Sequence, residues 1–490
     1  MILATDVCVV GAGPAGLAAA VSAGQAGVTV ALVDSAATVG GQYWRHPPSR
    51  PWNAVIDRDV HHDVGEFARL SNQAAALARE GALTYLPGQF VWTVSETPEG
   101  CRVRAVAEEP IREETVVDAR LAILATGAMD RPLPFPGWDL PGVLTVGGLQ
   151  SLLKGHGVLA GQRILLAGTG PLLLSTAALV LARGGTVAGV IESARPLRWV
   201  RHLRALAGVP ARVVEGAGYM AALTRHRVTV QTSAMVIAAC GGDRVSRVTS
   251  ARIAQDGRVA PGSQHTHEVS LLAVSYGFTP RLELHAAAGC ALARDAKGNV
   301  SVEVDDDQFT SCPGVLSAGE PTGIGGASLA LVEGQIAGTA AARRLGRSGG
   351  QTGELVALKR RRRTLRAFAA AMASVYTIPS VWPEFLTDDT TICRCEEVTY
   401  AEIKRALELG ASDVRTVKLL SRAGMGWCQG RICGYPVSCL IPGAPGGTAD
   451  VASLRIPIAA PLPLSVLASA EQPTTPSSHL PRDPPAPRRG

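Results

Sequence analysis

The sequence feature that most constrains the fold is a glycine turn near the amino terminus. A β-prone run at residues 5–10 leads directly into it, and a helix is predicted behind it at residues 17–26. In a strand-turn-helix unit that binds a dinucleotide, Gly11 permits the tight turn, Gly13 lets backbone amides approach the pyrophosphate, and Gly16 lets helix and strand pack closely. The pattern therefore predicts phosphates bound at a helix N-terminus.

The next strand supports the same interpretation. A β-prone run at residues 28–33 ends in Asp34, which lies where an acidic residue accepts a hydrogen bond from a ribose hydroxyl. Strand, turn, helix, second strand and acid all occur in the expected order. The N-terminal part of the chain is therefore predicted to bind a dinucleotide.

A second strand-turn-helix unit is predicted further along the chain. Residues 163–170 repeat the pattern, and Glu192 closes the strand predicted at residues 186–191. Leu173 occupies the third glycine position, where close packing of helix and strand normally requires the absence of a side chain. Binding of NAD(P), of another nucleotide or of no ligand is therefore left open for this unit, and Glu192 disfavours the extra phosphate of NADP.

The cysteines divide into scattered residues and a C-terminal cluster. Residues 1–390 contain no Cys-x-x-Cys, so disulfide reduction by a dithiol relay is not expected. Two close pairs in the last quarter suit either a structural zinc or a 2Fe-2S cluster; they are Cys393, Cys395, Cys428 and Cys433. Between the pairs, residues 399–409 are predicted to be helical, with Thr399 as N-cap and Glu402 at capping-box spacing.

Length and charge exclude some classes of function. At 490 residues the chain is long enough for two or three domains. Its net charge of +6 is modest and the basic run at residues 359–363 is interpreted as a solvated helix face, so nucleic-acid binding is not expected. No secretory signal and no run of about eighteen apolar residues are visible, so we expect no transmembrane segment and a cytoplasmic location.

Three further segments resemble the flavoproteins with two dinucleotide domains that are related to thioredoxin reductase. Residues 40–45 are similar to the Gly-Gly-Gln turn beside the flavin, residues 121–128 to the turn that leaves the FAD domain, and residues 315–320 to the segment holding the ribityl chain. Glu320 stands where many relatives have Asp. The resemblance implies an α/β fold with two Rossmann-like domains, as in thioredoxin and glutathione reductases, and FAD at the first site. The residues it places at FAD are Gly11, Gly13, Pro14, Ala15, Gly16, Asp34, Gly41, Gln42, Arg45, Val91, Thr126, Gly127, Gly319, Glu320 and Gly326.

The cysteine cluster resembles the bacterioferritin-associated-ferredoxin (BFD) type of 2Fe-2S module. The resemblance extends to the identity of the residues as well as to the spacing of the cysteines, at residues 393–399 and 424–431. It implies a small, mainly helical domain whose 2Fe-2S cluster is held by Cys393, Cys395, Cys428 and Cys433.

The same resemblances imply a division of the chain. The predicted units are an FAD domain in two parts at 1–135 and 269–346, a second Rossmann-like domain at 136–268, a basic helical linker at 347–390, the BFD-like domain at 391–440, an extended arm at 441–470 and a disordered tail at 471–490.

The combination of an FAD domain, a second Rossmann-like domain and a 2Fe-2S module resembles one type of subunit over nearly all of residues 5–465. This is the electron-transfer subunit of heteromeric amine and amino-acid dehydrogenases, such as hydroxyproline or proline dehydrogenase, opine oxidase and hydrogen cyanide synthase. Residues 127–132 and 135–143 strengthen the match. It implies a relay between a partner flavoprotein subunit that oxidises the amine or amino acid and an acceptor, in a hetero-oligomer that could include a small ferredoxin-like subunit. No residue is nominated as catalytic. Two alternatives are a self-sufficient NAD(P)H-dependent reductase and a flavoprotein with a zinc-stabilised interaction domain.

Overall fold

The computed structural model describes residues 1–48, 52, 57, 61–107, 114–295, 298–347, 352–443 and 458–469. The elements of the first domain are β1 (Ile2–Val10), α1 (Pro14–Gln25), β2 (Val30–Val33), α2 (Val64–Arg79), β3 (Leu83–Leu86), β4 (Gln89–Thr97), β5 (Gly100–Ala107) and β6 (Glu114–Leu124), followed by a linking strand β7 (Ala128–Asp130). The sheet has the order β3-β2-β1-β6-β5-β4. Its central strands β1, β2 and β6 are parallel, while β5 is antiparallel to β6. Helix α1 begins at Pro14 rather than at residue 17, because the fixed φ of proline suits the first helical turn.

The second domain repeats the layered plan with a five-stranded parallel sheet. Its elements are β8 (Val143–Thr145), α3 (Val146–His156), β9 (Arg163–Thr169), α4 (Leu172–Ala182), β10 (Thr186–Glu192), a 3-10 helix (Pro196–His202), α5 (Leu203–Ala207), α6 (Pro210–Arg225), β11 (Val230–Thr232), β12 (Ala234–Gly241), β13 (Val245–Arg252), β14 (His265–Glu268) and β15 (Leu271–Tyr276). The sheet order is β11-β10-β9-β15-β8. Apolar side chains of α3, α4 and α6 cover one face, and the antiparallel sheet β12-β13-β14 covers the other.

The position of strand β15 differs from the predicted boundary between the second domain and the second part of the FAD domain. It pairs in parallel with β9 and β8 and so belongs to the second sheet. The return to the FAD domain, predicted at residue 269, therefore comes after Tyr276. A strand that is buried along its whole length carries no sequence mark for the sheet it joins, because the central strands of both sheets have apolar neighbours on both faces.

The chain returns to the first domain through a strand pair and a long helix. The elements are β16 (Phe278–Pro280), α7 (Glu283–Ala287), β17 (Leu292–Arg294), β18 (Val300–Val302), β19 (Val315–Ser317), a 3-10 turn (Glu320–Thr322) and α8 (Ala327–Arg344). Strand β16 pairs with β7, and β19 extends the first sheet beside β6. Helix α8 packs directly on α1: a Cβ at Gly334 would lie 2.1 Å from the carbonyl oxygen of Ala15, and one at Gly338 would lie 2.3 Å from that of Ala19.

A helix then leads into the small C-terminal domain. The remaining elements are α9 (Thr352–Val375), a 3-10 helix (Trp382–Phe385), β20 (Thr391–Cys393), β21 (Val398–Thr399), α10 (Tyr400–Glu408), α11 (Val414–Ser421), α12 (Gly434–Leu440) and α13 (Leu464–Ser469). The sequence predicted that the basic run on α9 is a solvated helix face, and this is only partly correct. Lys359 and Arg362 form ion pairs with Asp307 and Asp306 of the first domain.

The C-terminal arm contacts the first domain. The amide of Ala459 donates to the carbonyl of Trp92 at 2.8 Å, and Val466 packs with Trp92. The predicted extended conformation is wrong for Leu464–Ser469, which forms α13 directly after Pro463, since a proline at the start of a helix costs no hydrogen bond. The tail predicted at 471–490 lies outside the described residues. Within the described part of the chain, no helix combines the length and the apolar character needed to cross a membrane.

Candidate cofactor-binding sites

The first glycine turn leaves room at one glycine and none at the other two. Gly11 has φ of +102°, and a Cβ there would lie 2.3 Å from the carbonyl oxygen of Ala125. A Cβ at Gly16 would lie 1.7 Å from the carbonyl oxygen of Gly11. At Gly13 the nearest atom to an added Cβ is 3.9 Å away, on Gly41. Gly11 and Gly16 thus close the turn, while the surface at Gly13 stays open to a ligand.

Helix α1 follows this turn with its N-terminal amides free of a side-chain cap. Its N-cap is Gly13, Pro14 and Ala15 form the first turn, and no side chain of the described residues caps them. The partial positive charge of an uncapped helix N-terminus attracts phosphate. The geometry therefore fits the pyrophosphate of a dinucleotide.

The acid at the end of β2 is fixed by the same loop. The Asp34 carboxylate accepts from the amide of Ala12 and, at 2.6 Å, from that of Ala36. Burial raises the pKa of Asp34, and the backbone hydrogen bonds oppose that shift. The amide of Gln89 donates to the carbonyl of Asp34 at 2.9 Å, which brings β4 to this end of the site. Val91, two residues further, has a buried side chain, so only its backbone is available to a nucleotide.

The Gly-Gly-Gln turn lies against the first glycine turn and against the second domain. A Cβ at Gly41 would lie 2.7 Å from Cα of Gly13, so the two turns touch. Gln42 accepts from Nε of Arg45 at 3.1 Å and lies 3.5 Å from Oγ of Ser151 on α3. Gln42 and Arg45 therefore line the junction of the two domains.

The segment after β19 completes the site from the other side. Gly319 has φ of +82°, and a Cβ there would lie 2.9 Å from Cβ of Ala15. The carboxylate of Glu320 accepts from the amides of Gly325 and Gly326 at 2.9 and 2.8 Å. Its extra methylene, relative to Asp, lets it reach this glycine turn. Gly326 is the N-cap residue of α8, so the Glu320 carboxylate lies at the N-terminus of this helix.

Thr126 and Gly127 join the site to the start of α7. The hydroxyl of Thr126 donates to the carbonyl of Arg281 at 2.7 Å, and the amide of Arg281 donates to the carbonyl of Gly127 at 3.0 Å. The turn that leaves the first domain is thereby tied to the segment just before Glu283.

Sequence reasoning missed a buried carboxylate that organises this region. Glu333 on α8 is fully buried and accepts from the amide of Gly319 at 3.0 Å and from the hydroxyl of Thr322 at 2.8 Å. Arg366 on α9 forms an ion pair with it at 2.5 Å. An acidic residue inside an otherwise apolar helix was the signal available in the sequence, because such a residue is seldom buried without a partner.

Lys154 on α3 was also missed. Its ammonium group donates to the carbonyl of Tyr43 at 3.1 Å, inside the junction between the two domains. Burial lowers the pKa of Lys154 to about 8. No sequence pattern marks this lysine, because its burial depends on the approach of the turn that contains Tyr43.

The second glycine turn differs from the first in how it is packed. Leu173 is fully buried in the core formed by α3, α4 and β9, so its side chain points away from the turn. An added Cβ at Gly170 would meet nothing within 4 Å. Glu192 accepts from the amides of Gly170 and Ala194 at 2.9 and 2.8 Å, and burial raises the pKa of Glu192 to about 7. The turn therefore keeps an open surface despite the missing glycine.

The four C-terminal cysteines come together as two interacting pairs. The thiols of Cys393 and Cys433 are hydrogen-bonded, which lowers the pKa of Cys393 to about 5 and raises that of Cys433. Backbone amides, including that of Gly424, also donate to the Cys393 sulfur. Cys395 is paired in the same way with Cys428. Four cysteine thiolates are the donor set of a 2Fe-2S cluster, so the chemistry of these side chains fits such a cluster.

Comparison with known proteins identifies both parts of the chain. The model of the pyridine nucleotide-disulphide oxidoreductase family matches residues 5–344. The chain belongs to this family. A BFD-like [2Fe-2S] binding domain matches residues 391–441 of the same oxidoreductase. It is therefore an FAD-dependent oxidoreductase that also carries a 2Fe-2S cluster, and the alternative of a zinc-stabilised domain is set aside.

Curated relatives extend over most of the oxidoreductase. An opine oxidase subunit of Rhizobium meliloti (strain 1021) is 35% identical over 446 residues, covering 89% of this chain and 92% of the relative. The HcnB subunit of hydrogen cyanide synthase from Pseudomonas aeruginosa is 33% identical over 440 residues, covering 87% and 90%. Both relatives are named as subunits, which confirms the resemblance inferred from the sequence.

Solved structures agree on the fold. L-proline dehydrogenase from P. horikoshii superposes with a TM-score of 0.62 at 19% identity, covering 89% of this chain and 73% of that one. Thioredoxin reductase of T. acidophilum gives 0.50 at 20% identity, covering 70% and 99%. These confirm the predicted α/β architecture of two Rossmann-like domains.

Proposed function

We propose that this oxidoreductase relays electrons from a partner flavoprotein subunit, which oxidises an amine or amino acid of the proline, hydroxyproline or opine type, to an acceptor. The relatives named as opine oxidase and hydrogen cyanide synthase subunits support the class of partner. In this proposal FAD is held by the first glycine turn, Asp34, the Gly41–Arg45 turn, Thr126, Gly127 and the segment from Gly319 to Gly326. The cluster is held by Cys393, Cys395, Cys428 and Cys433.

One connection between the two sites carries the proposal. Arg431 lies between the cluster ligands Cys428 and Cys433, and its guanidinium forms an ion pair with Glu283. Two residues earlier, Arg281 is hydrogen-bonded to Thr126 and Gly127 in the FAD site. A segment of three residues, 281–283, therefore contacts residues of both proposed sites.

The chemistry explains why the two sites should be adjacent. A flavin exchanges an electron pair, or one electron at a time, whereas a 2Fe-2S cluster carries a single electron, so the pair couples hydride donation to one-electron flow. The residues of this chain hold and orient the two groups. No acid, base or nucleophile is required of them, because the bond-breaking step takes place on the partner.

The test uses the complex purified from its source cells through a tag on this chain. Under anaerobic conditions, addition of the substrate amine should bleach the flavin absorbance and produce the electron paramagnetic resonance signal of a reduced 2Fe-2S cluster. In Cys395→Ser the flavin should still be reduced while transfer to a one-electron acceptor is lost. Cys240→Ser, an exposed cysteine outside the cluster, is the matched control. Equal acceptor reduction by both variants would refute the relay.

A second candidate is a self-sufficient NAD(P)H-dependent reductase. The observation in its favour is the open surface at Gly170 together with the inward position of Leu173. Stoichiometric NADH would then bleach the flavin of the isolated chain rapidly in the absence of oxygen. The relay proposal expects no such bleaching, so the two candidates give opposite results.

A further inference from the structure

The 3-10 helix Pro196–His202 sorts its side chains into three rows. With three residues per turn, residues i and i+3 lie one above the other. Leu197 and Val200 form one row, which Leu203 at the start of α5 continues. Arg198 and Arg201 form the next row, and Trp199 and His202 form the third.

The third row is anchored on α9 and fixes the other two. Trp199 stacks on Phe368 with ring centroids 5.9 Å apart. His202 Nε2 lies 2.7 Å from Oγ of Ser374. Because this row faces α9, the apolar row must face away from it, and the exposed fractions are 83% for Leu197, 63% for Val200 and 62% for Leu203.

Helix α6, which contacts α5, exposes further apolar side chains. Val213, Val214 and Met220 are 46%, 71% and 40% exposed. Exposed apolar side chains that share one side of a protein and have a polar rim are characteristic of interaction sites. We call the surface formed by Leu197, Val200, Leu203, Val213, Val214 and Met220 the apolar face.

The rim of the apolar face is cationic. Arg198, Arg201 and Arg204 run beside the row of Leu197, Val200 and Leu203. Glu215 is the sole carboxylate between residues 195 and 227, and it is held by Arg212 and Tyr219. A partner surface with an apolar centre and a rim of carboxylates would complement this face both in the distribution of apolar groups and in charge.

The apolar face also adjoins the proposed flavin site. Arg212, in the first turn of α6, donates to Oγ of Ser328 at the start of α8 and lies 3.6 Å from the carboxylate of Asp63. The helix that presents Val213 and Val214 is thus attached to the helix whose N-terminus completes the FAD site. A protein bound here would lie next to the flavin.

We propose that the apolar face docks the amine-oxidising flavoprotein subunit, through an apolar patch on that subunit rimmed by Asp and Glu. This inference rests on the proposed function and names the surface that function requires. A second copy of this chain is disfavoured as the occupant. If two copies associated through this face, the arginine row of one copy would face that of the other, and like charges would repel. An anionic membrane surface shares the charge complementarity and is separated from the proposal by experiment.

The test compares two double variants in association with the purified partner subunit. Val200→Glu/Arg204→Glu changes the apolar face, and Leu409→Glu/Arg405→Glu makes the same change on exposed residues of α10 and the position after it. Association is measured by sedimentation velocity at two salt concentrations. The first variant should weaken binding on the order of 100-fold, a factor of about ten for each of its two substitutions. The control should bind like the wild type, with tighter binding at low salt. Unchanged flavin and cluster absorbance in both variants establishes that they fold.

The remaining outcomes are distinct. Equal binding by both variants and the wild type overturns the docking surface and leaves the relay intact. Sedimentation of the wild type, but not of the first variant, with phosphatidylglycerol vesicles, while partner binding is unchanged, assigns the face to a membrane and overturns the proposal. If the wild-type complex shows no amine-dependent flavin reduction, the proposed function fails and the docking proposal fails with it.

Discussion

The glycines of the first turn differ in the space around them, in line with the different roles that the motif assigns to them. Gly16 is required because the carbonyl oxygen of Gly11 occupies the space of a Cβ, whereas the space at Gly13 is open, as the proposed approach of a pyrophosphate requires. The requirement at Gly16 belongs to the fold, and the one proposed at Gly13 belongs to binding.

Gly16→Ala should therefore prevent FAD binding. The added Cβ would lie 1.7 Å from the carbonyl oxygen of Gly11, so strand and helix must separate and the turn must open. We expect the flavin-to-protein ratio to fall at least ~10-fold, which requires only ~1.4 kcal/mol. Gly65→Ala in α2, where an added Cβ meets nothing within 4 Å, is the control. Full flavin content in the Gly16 variant would contradict the close packing.

The lowered pKa of Lys154 predicts how the stability of the protein depends on pH. Its pKa is lowered from 10.5 to about 8, so the unfolded chain binds more protons than the folded chain between these values, and stability rises with pH. The full cost of the buried charge applies below pH 8 and disappears above pH 10.5. Lys154→Met should remove this cost, so its free energy of unfolding relative to wild type should decrease by up to about 3 kcal/mol as pH rises from 7 to 10.5. Parallel stability profiles from urea unfolding would contradict this assignment.

At the scale of elements, α10 is determined by its own sequence. Thr399 accepts from the amide of Glu402, and the Glu402 carboxylate accepts from the amide of Thr399, so the predicted capping box is confirmed. The predicted end at residue 409 is also close to the observed end at Glu408. Such caps need only the four residues they contain, which explains why this helix could be predicted well.

Thr399→Ala should destabilise the C-terminal domain by about 1 kcal/mol, the usual cost of a lost N-cap. Loss of cluster absorbance during urea unfolding reports this domain, and flavin fluorescence reports the first one. We expect only the cluster transition to move to lower urea. Thr399→Ser keeps the oxygen and is the control; an equal shift for both variants would exclude the cap as the cause.

At the scale of the whole molecule, an apolar cluster and several polar contacts join the C-terminal domain to the rest of the chain. The indole of Trp138 donates to the carbonyl of Thr391 at 2.6 Å, and the guanidinium of Arg131 lies 4.2 Å from the ring centre of Tyr435. The ion pair of Arg431 with Glu283 adds a link beside the cluster ligands. These contacts fix the position of the two proposed cofactor sites relative to each other.

Arg431→Glu should loosen this arrangement, because it places two carboxylates opposite each other at a partly buried site. We expect the thermal midpoint of cluster loss to fall by roughly 5 °C or more, with little change in flavin release. The charge-swapped double variant Glu283→Arg/Arg431→Glu should recover at least part of the loss. Failure of the swap to recover any of it would mean that the contact of Arg431 with the carbonyl of Ala459 matters more than the ion pair.

The sequence by itself determined the parts that depend on neighbours along the chain: the two glycine turns, the acid after β2, the capping box and the cysteine pairs. Each is specified within a few dozen residues by backbone sterics, helix capping or ligand spacing. The resemblance then supplied the cofactors, which the family comparison confirmed. The boundary after Tyr276, the burial of Glu333 and Lys154, and the pairing of Arg431 with Glu283 were decided only by the tertiary structure. These depend on groups far apart in the chain, and a polar residue carries no local mark of the partner that will bury it.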